Sequence, residues 1–386
     1  MASGKIRMGM IGGGKNAFIG AVHRIAANID GLIELSCGAL SSNPETAKAS
    51  GRDLFLPESR NYGSYKEMIE TEARLPEDQR MHFVSIVTPN FAHFEPAMMA
   101  LEHGFHVVID KPITLSLEEA KKLEAKVQET GLLLCLTHTY SGYPMVKQAR
   151  QMVKEGKFGK IRKVCVEYPQ GWLSLPSEKE GNQQAAWRTD PAKSGKAGCM
   201  GDIGTHAAQL AEYISGLEIT QLCADLNRVV EGRRLDDDGN ILLKFNNGAN
   251  GLLMASQIAA GEENALFIRV YGEKGGLEWH QEEPNTLKVK WLDAPSQLYR
   301  AGQGYLSSFA KHNCRTPAGH PEGYLEAFAN IYRNFALTLN SRLNGTEPTA
   351  EMLDFPGAAD GVRGMAFIEN AVASGQSDQK WFDFKI

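Results

Sequence analysis

Three short clusters in this chain have residue types and spacing suited to chemistry. The apolar run Met8-Gly9-Met10-Ile11 breaks into Gly12-Gly13-Gly14-Lys15-Asn16-Ala17, after which Phe18-Ile19 opens a helix-like segment. Gly12, Gly14 and Ala17 fit the G-x-G-x-x-G/A spacing of a strand–turn–helix that seats a dinucleotide. The first glycine permits the tight turn and the second lets backbone approach a pyrophosphate. A small third residue lets the helix pack on the strand. The pyrophosphate would lie at the helix N-terminus, where free N–H groups and the helix dipole favour an anion. The second cluster is Thr88-Pro89-Asn90-Phe91-Ala92-His93, after the apolar run Phe83–Val87. The third is Asp110-Lys111-Pro112, after His106–Ile109. A lysine set directly after a buried strand and fixed by proline can bring its ammonium to a substrate hydroxyl or to nicotinamide-side groups. A solvated loop lysine is the plainer alternative.

A second nucleotide determinant belongs at the end of the second strand, where an acid ordinarily binds the adenosine ribose. The chain there reads Ala39-Leu40-Ser41-Ser42-Asn43, with no carboxylate and no arginine. Ser41 and Ser42 can hydrogen-bond a ribose or a 2′-phosphate, or simply begin the next helix. NAD and NADP both stay open.

The elements around these clusters alternate. Strand-like runs at Leu32–Leu40, Phe83–Val87, His106–Ile109 and Leu132–Leu136 are separated by helical segments. Ser64-Tyr65-Lys66-Glu67 and Ser116-Leu117-Glu118-Glu119 have the form of capping boxes. Such alternation predicts a Rossmann-type, doubly wound parallel sheet over residues 1–138. All three clusters then sit at strand carboxyl ends, where doubly wound sheets bind ligands. From 139 to 386 the pattern changes. After a helix near Met145–Glu155, Ile161–Tyr168 alternates in strand fashion. Ile241–Phe245 with Gly251–Ser256, and Phe267–Tyr271 with Gly276–His280, read as hairpins. This predicts an α+β domain with a large, open, mostly antiparallel sheet. Residues 173–200 read as a long polar loop with the makings of a lid.

Composition narrows the function classes. With 386 residues, 42% hydrophobic and 23% charged, the chain is expected to form two globular domains. Its net charge of −5 gives a nucleic-acid partner no electrostatic support. No apolar run reaches membrane-spanning length, and the first strand starts almost at once, so a cytoplasmic protein with no membrane partner is expected. Cys37, Cys135, Cys165, Cys199, Cys223 and Cys314 are scattered, which suits reduced thiols. Ten histidines without H-E-x-x-H spacing give no metal site.

The combination of Gly12-x-Gly14-x-x-Ala17, Thr88-Pro89-Asn90-x-x-His93 and Asp110-Lys111-Pro112 resembles the Gfo/Idh/MocA oxidoreductase family. The likeness continues through Trp187-Arg188-Thr189-Asp190-Pro191, Gly201-Asp202-Ile203-Gly204-Thr205-His206 and a closing helix around Asp360–Ala373, covering nearly the whole chain. The resemblance implies that Lys111 is the family's catalytic lysine, with Asp110 replacing the usual glutamate. It implies that Asp202 and His206 are the substrate-site acid and histidine. Four residues apart, these two share one face if helical. Oxidising a secondary alcohol needs a base for the hydroxyl proton, and histidine titrates near neutrality. Trp187 and Arg188 are expected beside nicotinamide and substrate, offering an apolar face and a hydrogen-bond fork. Tyr140, Tyr143 and His320 lie on segments that border the pocket in relatives. His23 and Arg24 lie just past the glycine turn and either help hold the cofactor or pack.

The expected activity is an NAD(P)-dependent dehydrogenase oxidising a secondary hydroxyl of a sugar, glycoside or cyclitol, and working as a homodimer or homotetramer. One alternative is a glycoside-cleaving enzyme with a retained, redox-cycling NAD. Another is a non-catalytic nucleotide-binding regulator, which would have no use for Lys111, Asp202 and His206 together.

Overall fold

In the computed structural model, which describes residues 4–15 and 17–386, the chain divides into two compact units. The first runs up to Thr139 and takes in Tyr324–Val362; the second comprises Tyr140–Gly323 and Arg363–Ile386. The first unit alternates β1 (Ile6–Gly12), α1 (Phe18–Asn28), β2 (Ile33–Ala39), α2 (Pro44–Asp53), α3 (Tyr65–Arg74), β3 (Phe83–Val87), α4 (Phe94–Glu102), β4 (His106–Ile109), α5 (Leu117–Thr130) and β5 (Leu134–Leu136). Local chemistry sets the helix starts. Asn43 caps α2 by accepting from the Thr46 N–H, with Pro44 in the first turn. Both capping boxes form: Ser64 accepts from Glu67 N–H while Glu67 accepts from Gly63 N–H, and Ser116 with Glu119 repeats the exchange at Leu115. The strands pair in parallel in the order β2-β1-β3-β4-β5. Strand order therefore reverses between β1 and β3, which is the switch point where such sheets bind ligands.

The second unit begins with α6 (Pro144–Lys154), β6 (Ile161–Pro169), α7 (Gln183–Arg188), α8 (Pro191–Ser194) and α9 (Thr205–Ser215). It continues with β7 (Ile219–Asn227), β8 (Asp238–Phe245), β9 (Asn250–Ser256), β10 (Phe267–Gly272), β11 (Gly275–His280), β12 (Thr286–Trp291), β13 (Gln297–Arg300) and α10 (Ser308–His312). Beyond α11 (Tyr324–Leu343) and α12 (Ala358–Gly375), β14 (Phe382–Asp383) completes a nine-stranded sheet ordered β13-β12-β11-β10-β6-β9-β8-β7-β14. Its strand pairs are antiparallel except for β6 with β9. In β8 the alternation is plain: Ile241, Leu243 and Phe245 are buried, whereas Asn240 and Leu242 face out. Both expected hairpins form, as β8–β9 and β10–β11.

Two features depart from the sequence reading. Phe328, Tyr332, Phe335 and Leu339 of α11 pack into one core with Phe83 and Val22 of the first unit. A division at residue 138 alone therefore leaves α11 outside the unit whose core it completes. Residues 173–200 are not a plain loop. They hold a 3₁₀ turn at Ser177–Glu180 and the helices α7 and α8, started by the Asn182 and Asp190 side chains. Short caps separated by single turns gave no periodicity to read. All six cysteines are unpaired, four of them buried. No helix of the described residues is long and apolar enough to cross a membrane.

Candidate active site

At the carboxyl end of β1, Gly12 (φ +79°) and Gly13 (φ +71°) take the left-handed backbone that favours glycine. A Cβ on Gly12 would stand 2.9 Å from Thr88 Cγ2, and one on Gly14 would stand 2.6 Å from the Leu40 carbonyl. The turn is thus pressed against the ends of both β3 and β2. Gly20 makes the close helix approach, because its Cβ would meet Gly13 Cα at 2.3 Å. Ala17 instead takes the N-cap position of α1, half-buried. The first turn of α1 has no acidic residue and no side-chain cap. Its free N–H groups suit a pyrophosphate. Arg24 donates to the Gly13 carbonyl at 2.6 Å and so braces the turn from behind. Phe18 is 70% exposed at the helix start, while Ile19 leans on the core. Asn16 lies outside the described residues. Ser41 accepts from the Asn43 N–H at 3.2 Å and Ser42 is exposed.

The other two clusters interlock beside this turn. Thr88 donates to the Ala92 carbonyl, and the 3₁₀ turn Asn90–Ala92 after Pro89 buries Asn90. His93 is fully buried, with Nδ1 2.8 Å from the Pro112 carbonyl and Nε2 2.9 Å from the Thr88 carbonyl. It ties the end of β3 to the Lys111 segment, and burial lowers its pKa. Asp110 turns its short side chain back, so Oδ1 accepts from the Lys111 N–H and the Thr137 hydroxyl, each at 2.8 Å. Buried His138 is held neutral, its pKa pushed down to about 3 by burial and then by the Lys111 charge. Sequence reasoning passed over Thr137 and His138, although their place after β5 is itself a signal.

In the second unit Asp202 and His206 lie across the junction of a π-turn, Met200–Gly204, and α9. Such turns recur at functional sites. Asp202 Oδ2 accepts from Arg188 Nε at 3.1 Å and from Gln257 Nε2 at 2.9 Å. The Arg188 guanidinium also lies 4.2 Å over the Trp187 ring and hydrogen-bonds Gln184. These contacts bring Trp187, Arg188 and Asp202 together. His206 is 8% exposed and meets the Tyr140 ring edge-on at 4.8 Å. The Tyr140 hydroxyl bonds that of Tyr168 and accepts from Asn264 Nδ2. Burial raises the Tyr140 pKa, so its hydroxyl keeps the proton. Tyr168 and Gln170 both donate to Asn264 Oδ1 at 2.7 Å. Gln281 Oε1 accepts from Asn264, while its amide donates to Tyr143. Gln170 and Gln257 lie just past the ends of β6 and β9 and Asn264 just before β10 in a mixed sheet, and only the tertiary fold reveals them. His320 is exposed, its ring facing the Pro317 carbonyl of its own turn at 3.3 Å. The segment that bears Arg188 is tethered by Arg233 to Glu178 and by Arg234 to Asp190. No metal-type cluster of His, Cys, Asp or Glu occurs among the described residues.

A five-stranded parallel sheet with a glycine turn at its switch point defines a Rossmann-type nucleotide-binding protein. Residues 6–139 match the oxidoreductase family with an NAD-binding Rossmann fold, and residues 146–278 match the GFO/IDH/MocA C-terminal domain. The chain belongs to the Gfo/Idh/MocA family of NAD-binding oxidoreductases. It is 32% identical to the uncharacterized oxidoreductase YfiI of Bacillus subtilis, over 98% of this chain and 97% of that one. An inositol dehydrogenase homologue from Azotobacter vinelandii, crystallised with NAD+, aligns at a TM-score of 0.93 and 35% identity, covering 99% of this chain and 98% of that one. The same homologue with NADH and myo-inositol aligns at a TM-score of 0.90 and 34% identity, with the same coverage. Levoglucosan dehydrogenase of Pseudarthrobacter phenanthrenivorans is 26% identical over 98% of each chain.

Proposed function

We propose that this protein is an NAD-dependent dehydrogenase that oxidises a secondary ring hydroxyl of a cyclitol, sugar or glycoside. The carrying observation is the set of neutral amides and phenols joined to the Asp202 and His206 region: Gln257, Gln170, Asn264, Tyr140 and Tyr168. Groups that both donate and accept match the alternating hydroxyls of a polyol. The myo-inositol and levoglucosan ligands of the relatives support the same substrate class. NAD is favoured over NADP because Ser41 and Ser42 bring no cation to a 2′-phosphate, and the relatives' crystals held NAD+ or NADH.

The N-terminus of α1 and the glycine turn would hold the pyrophosphate. The nicotinamide, when bound, accepts the hydride. In this reading His206 takes the hydroxyl proton, while Lys111 stabilises the developing alkoxide by charge. Asp202, oriented by Arg188 and Gln257, binds a neighbouring hydroxyl. Arg188 and Trp187 shape the wall against the ring, and the protein self-associates as a dimer or tetramer, a point that light scattering decides.

The test is absorbance of reduced nicotinamide with NAD and NADP, each against myo-inositol, levoglucosan and simple hexoses. We expect NADH to form with one of these. His206→Asn should then lower kcat about 10²- to 10⁴-fold, the range for losing a positioned base, and Lys111→Ala should abolish turnover with NADH still bound. A flat response from nucleotide-loaded protein would sink net dehydrogenation and leave redox-cycling cleavage.

A further inference from the structure

His23 sits on α1 within the apolar core of the first unit, fully buried and edge-on to Phe328 at 4.7 Å. Its Nδ1 lies 2.7 Å from the Tyr332 hydroxyl, which in turn lies 2.7 Å from the Ser85 hydroxyl. On the far side of the ring, Nε2 has no hydrogen-bond partner among the described residues. Asp110 Oδ2 lies 4.0 Å from it, within reach of charge but beyond a hydrogen bond. The other oxygen of that carboxylate holds the Lys111 N–H and Thr137.

The direction of the protons follows from charge. If Ser85 donates to Tyr332 and Tyr332 donates to Nδ1, the ring proton sits on Nε2 and faces the carboxylate. The reverse order would aim a lone pair at an anion. Electrostatics therefore selects one tautomer, an N–H directed at Asp110. Burial keeps the ring otherwise neutral, with its pKa lowered to about 4. A residue present only to fill this core would not need three polar groups in series, each carrying a desolvation cost.

We propose that His23 is the positioning residue of the Lys111 segment, directing its Nε2 proton at Asp110 from a ring fixed by Tyr332 and Ser85. It thereby links α1, which starts at the glycine turn, to the backbone of the lysine. The inference rests on the reading above only in so far as Lys111 acts on substrate.

Two substitutions separate the halves of the ring. In His23→Asn the amide replaces Nδ1 and keeps the Tyr332 contact, but does not reach Asp110. In His23→Gln the amide nitrogen reaches the place of Nε2. With NADH bound, backbone hydrogen exchange at Lys111 should be about tenfold faster in His23→Asn than in the wild type, and near wild type in His23→Gln. For polyol oxidation, His23→Asn should lower kcat about tenfold with KM within about twofold, and His23→Gln should recover most of it. Added to Asp110→Asn, His23→Asn should cost nothing further, because the two act as one unit. Equal effects of the two substitutions, multiplying effects with Asp110→Asn, or unchanged Lys111 exchange would overturn the proposal. If the wild type oxidises no polyol, the functional reading fails while the exchange comparison still decides the role of His23.

Discussion

Single side chains set the sharpest demands at the glycine turn. The turn looks complete with Gly12 and Gly14, yet the tightest contact in it belongs to Gly20, whose missing Cβ lets α1 lie on the Gly13 backbone. Gly20→Ala would bring a Cβ within 2.3 Å of backbone atoms that cannot swing away. We expect it to destabilise the first unit by about 1–3 kcal/mol, the usual cost of overpacking, and to weaken NADH binding in parallel. Titration calorimetry beside chemical denaturation checks both, and an unchanged affinity would refute the link. The amides of the second unit act differently. Gln257 shares Asp202 Oδ2 with Arg188. Removing it in Gln257→Ala should raise KM for the polyol about tenfold, roughly one hydrogen bond to a charged group, with a smaller change in kcat. Steady-state kinetics with saturating NAD give the answer, and an effect confined to kcat would assign Gln257 to the chemistry instead. The clusters around Gly12, Thr88 and Lys111 were legible because each follows a recognisable strand. Gln170, Gln257 and Asn264 were not, since their meeting depends on β6 lying beside β9, strands some 80 residues apart in sequence with no local signal of pairing.

At the scale of elements, the π-turn Met200–Gly204 places Asp202 and His206, and something must hold it against relaxing into plain α-helix. Asp236 does so. Its two oxygens accept the Gly198 and Met200 N–H groups, each at 2.7 Å, and its carbonyl accepts from Cys199. A Cβ on Gly198 would stand 2.2 Å from that carbonyl, so the approach needs a glycine. Burial raises the Asp236 pKa, while these N–H bonds favour the charged form. Asp236→Asn presents an NH₂ where one acceptor was. We expect it to cost about 1–3 kcal/mol for the unsatisfied buried group and to reduce kcat by misplacing His206. Equal stability and kcat in the variant would mean that the turn holds itself. The sequence announced Asp202 and His206 at helical spacing, and the register nearly delivers that. The extra residue of the π-turn was invisible because its stabilising carboxylate lies more than 30 residues downstream. Helix starts such as Ser64 and Ser116 could be read in advance for the opposite reason: donor and acceptor lie within four residues.

Taken whole, the first unit carries a store of buried and half-buried neutral imidazoles that ties its stability to pH. Burial lowers the pKa of His23 and His106 to about 4 and that of His138 to about 3. In the folded state these rings stay neutral below the ordinary value of 6.5, whereas the unfolded chain takes up a proton on each. Where the unfolded state binds more protons, stability rises with pH. The contribution is therefore complete above about pH 6.5 and is lost as pH falls toward the folded values. Between pH 6.5 and 5, above the range where most carboxylates titrate, each ring forfeits roughly 1.5 kcal/mol, on the order of 5 kcal/mol for the three. Urea unfolding followed at pH 7.5, 6.5, 5.8 and 5 should show a falling midpoint with proton uptake rising above three per molecule, because His82 and His93, whose pKa values are also lowered, add to the three. His106 allows a controlled subtraction, since its Nδ1 accepts the Leu133 N–H at 2.8 Å and an asparagine oxygen can take that place. His106→Asn should keep the fold and reduce the uptake by close to one proton, flattening the slope by about 1.4 kcal/mol per pH unit. A slope unchanged by this substitution would show that His106 is already charged in the folded protein, and that the burial of the ring does not control its protonation.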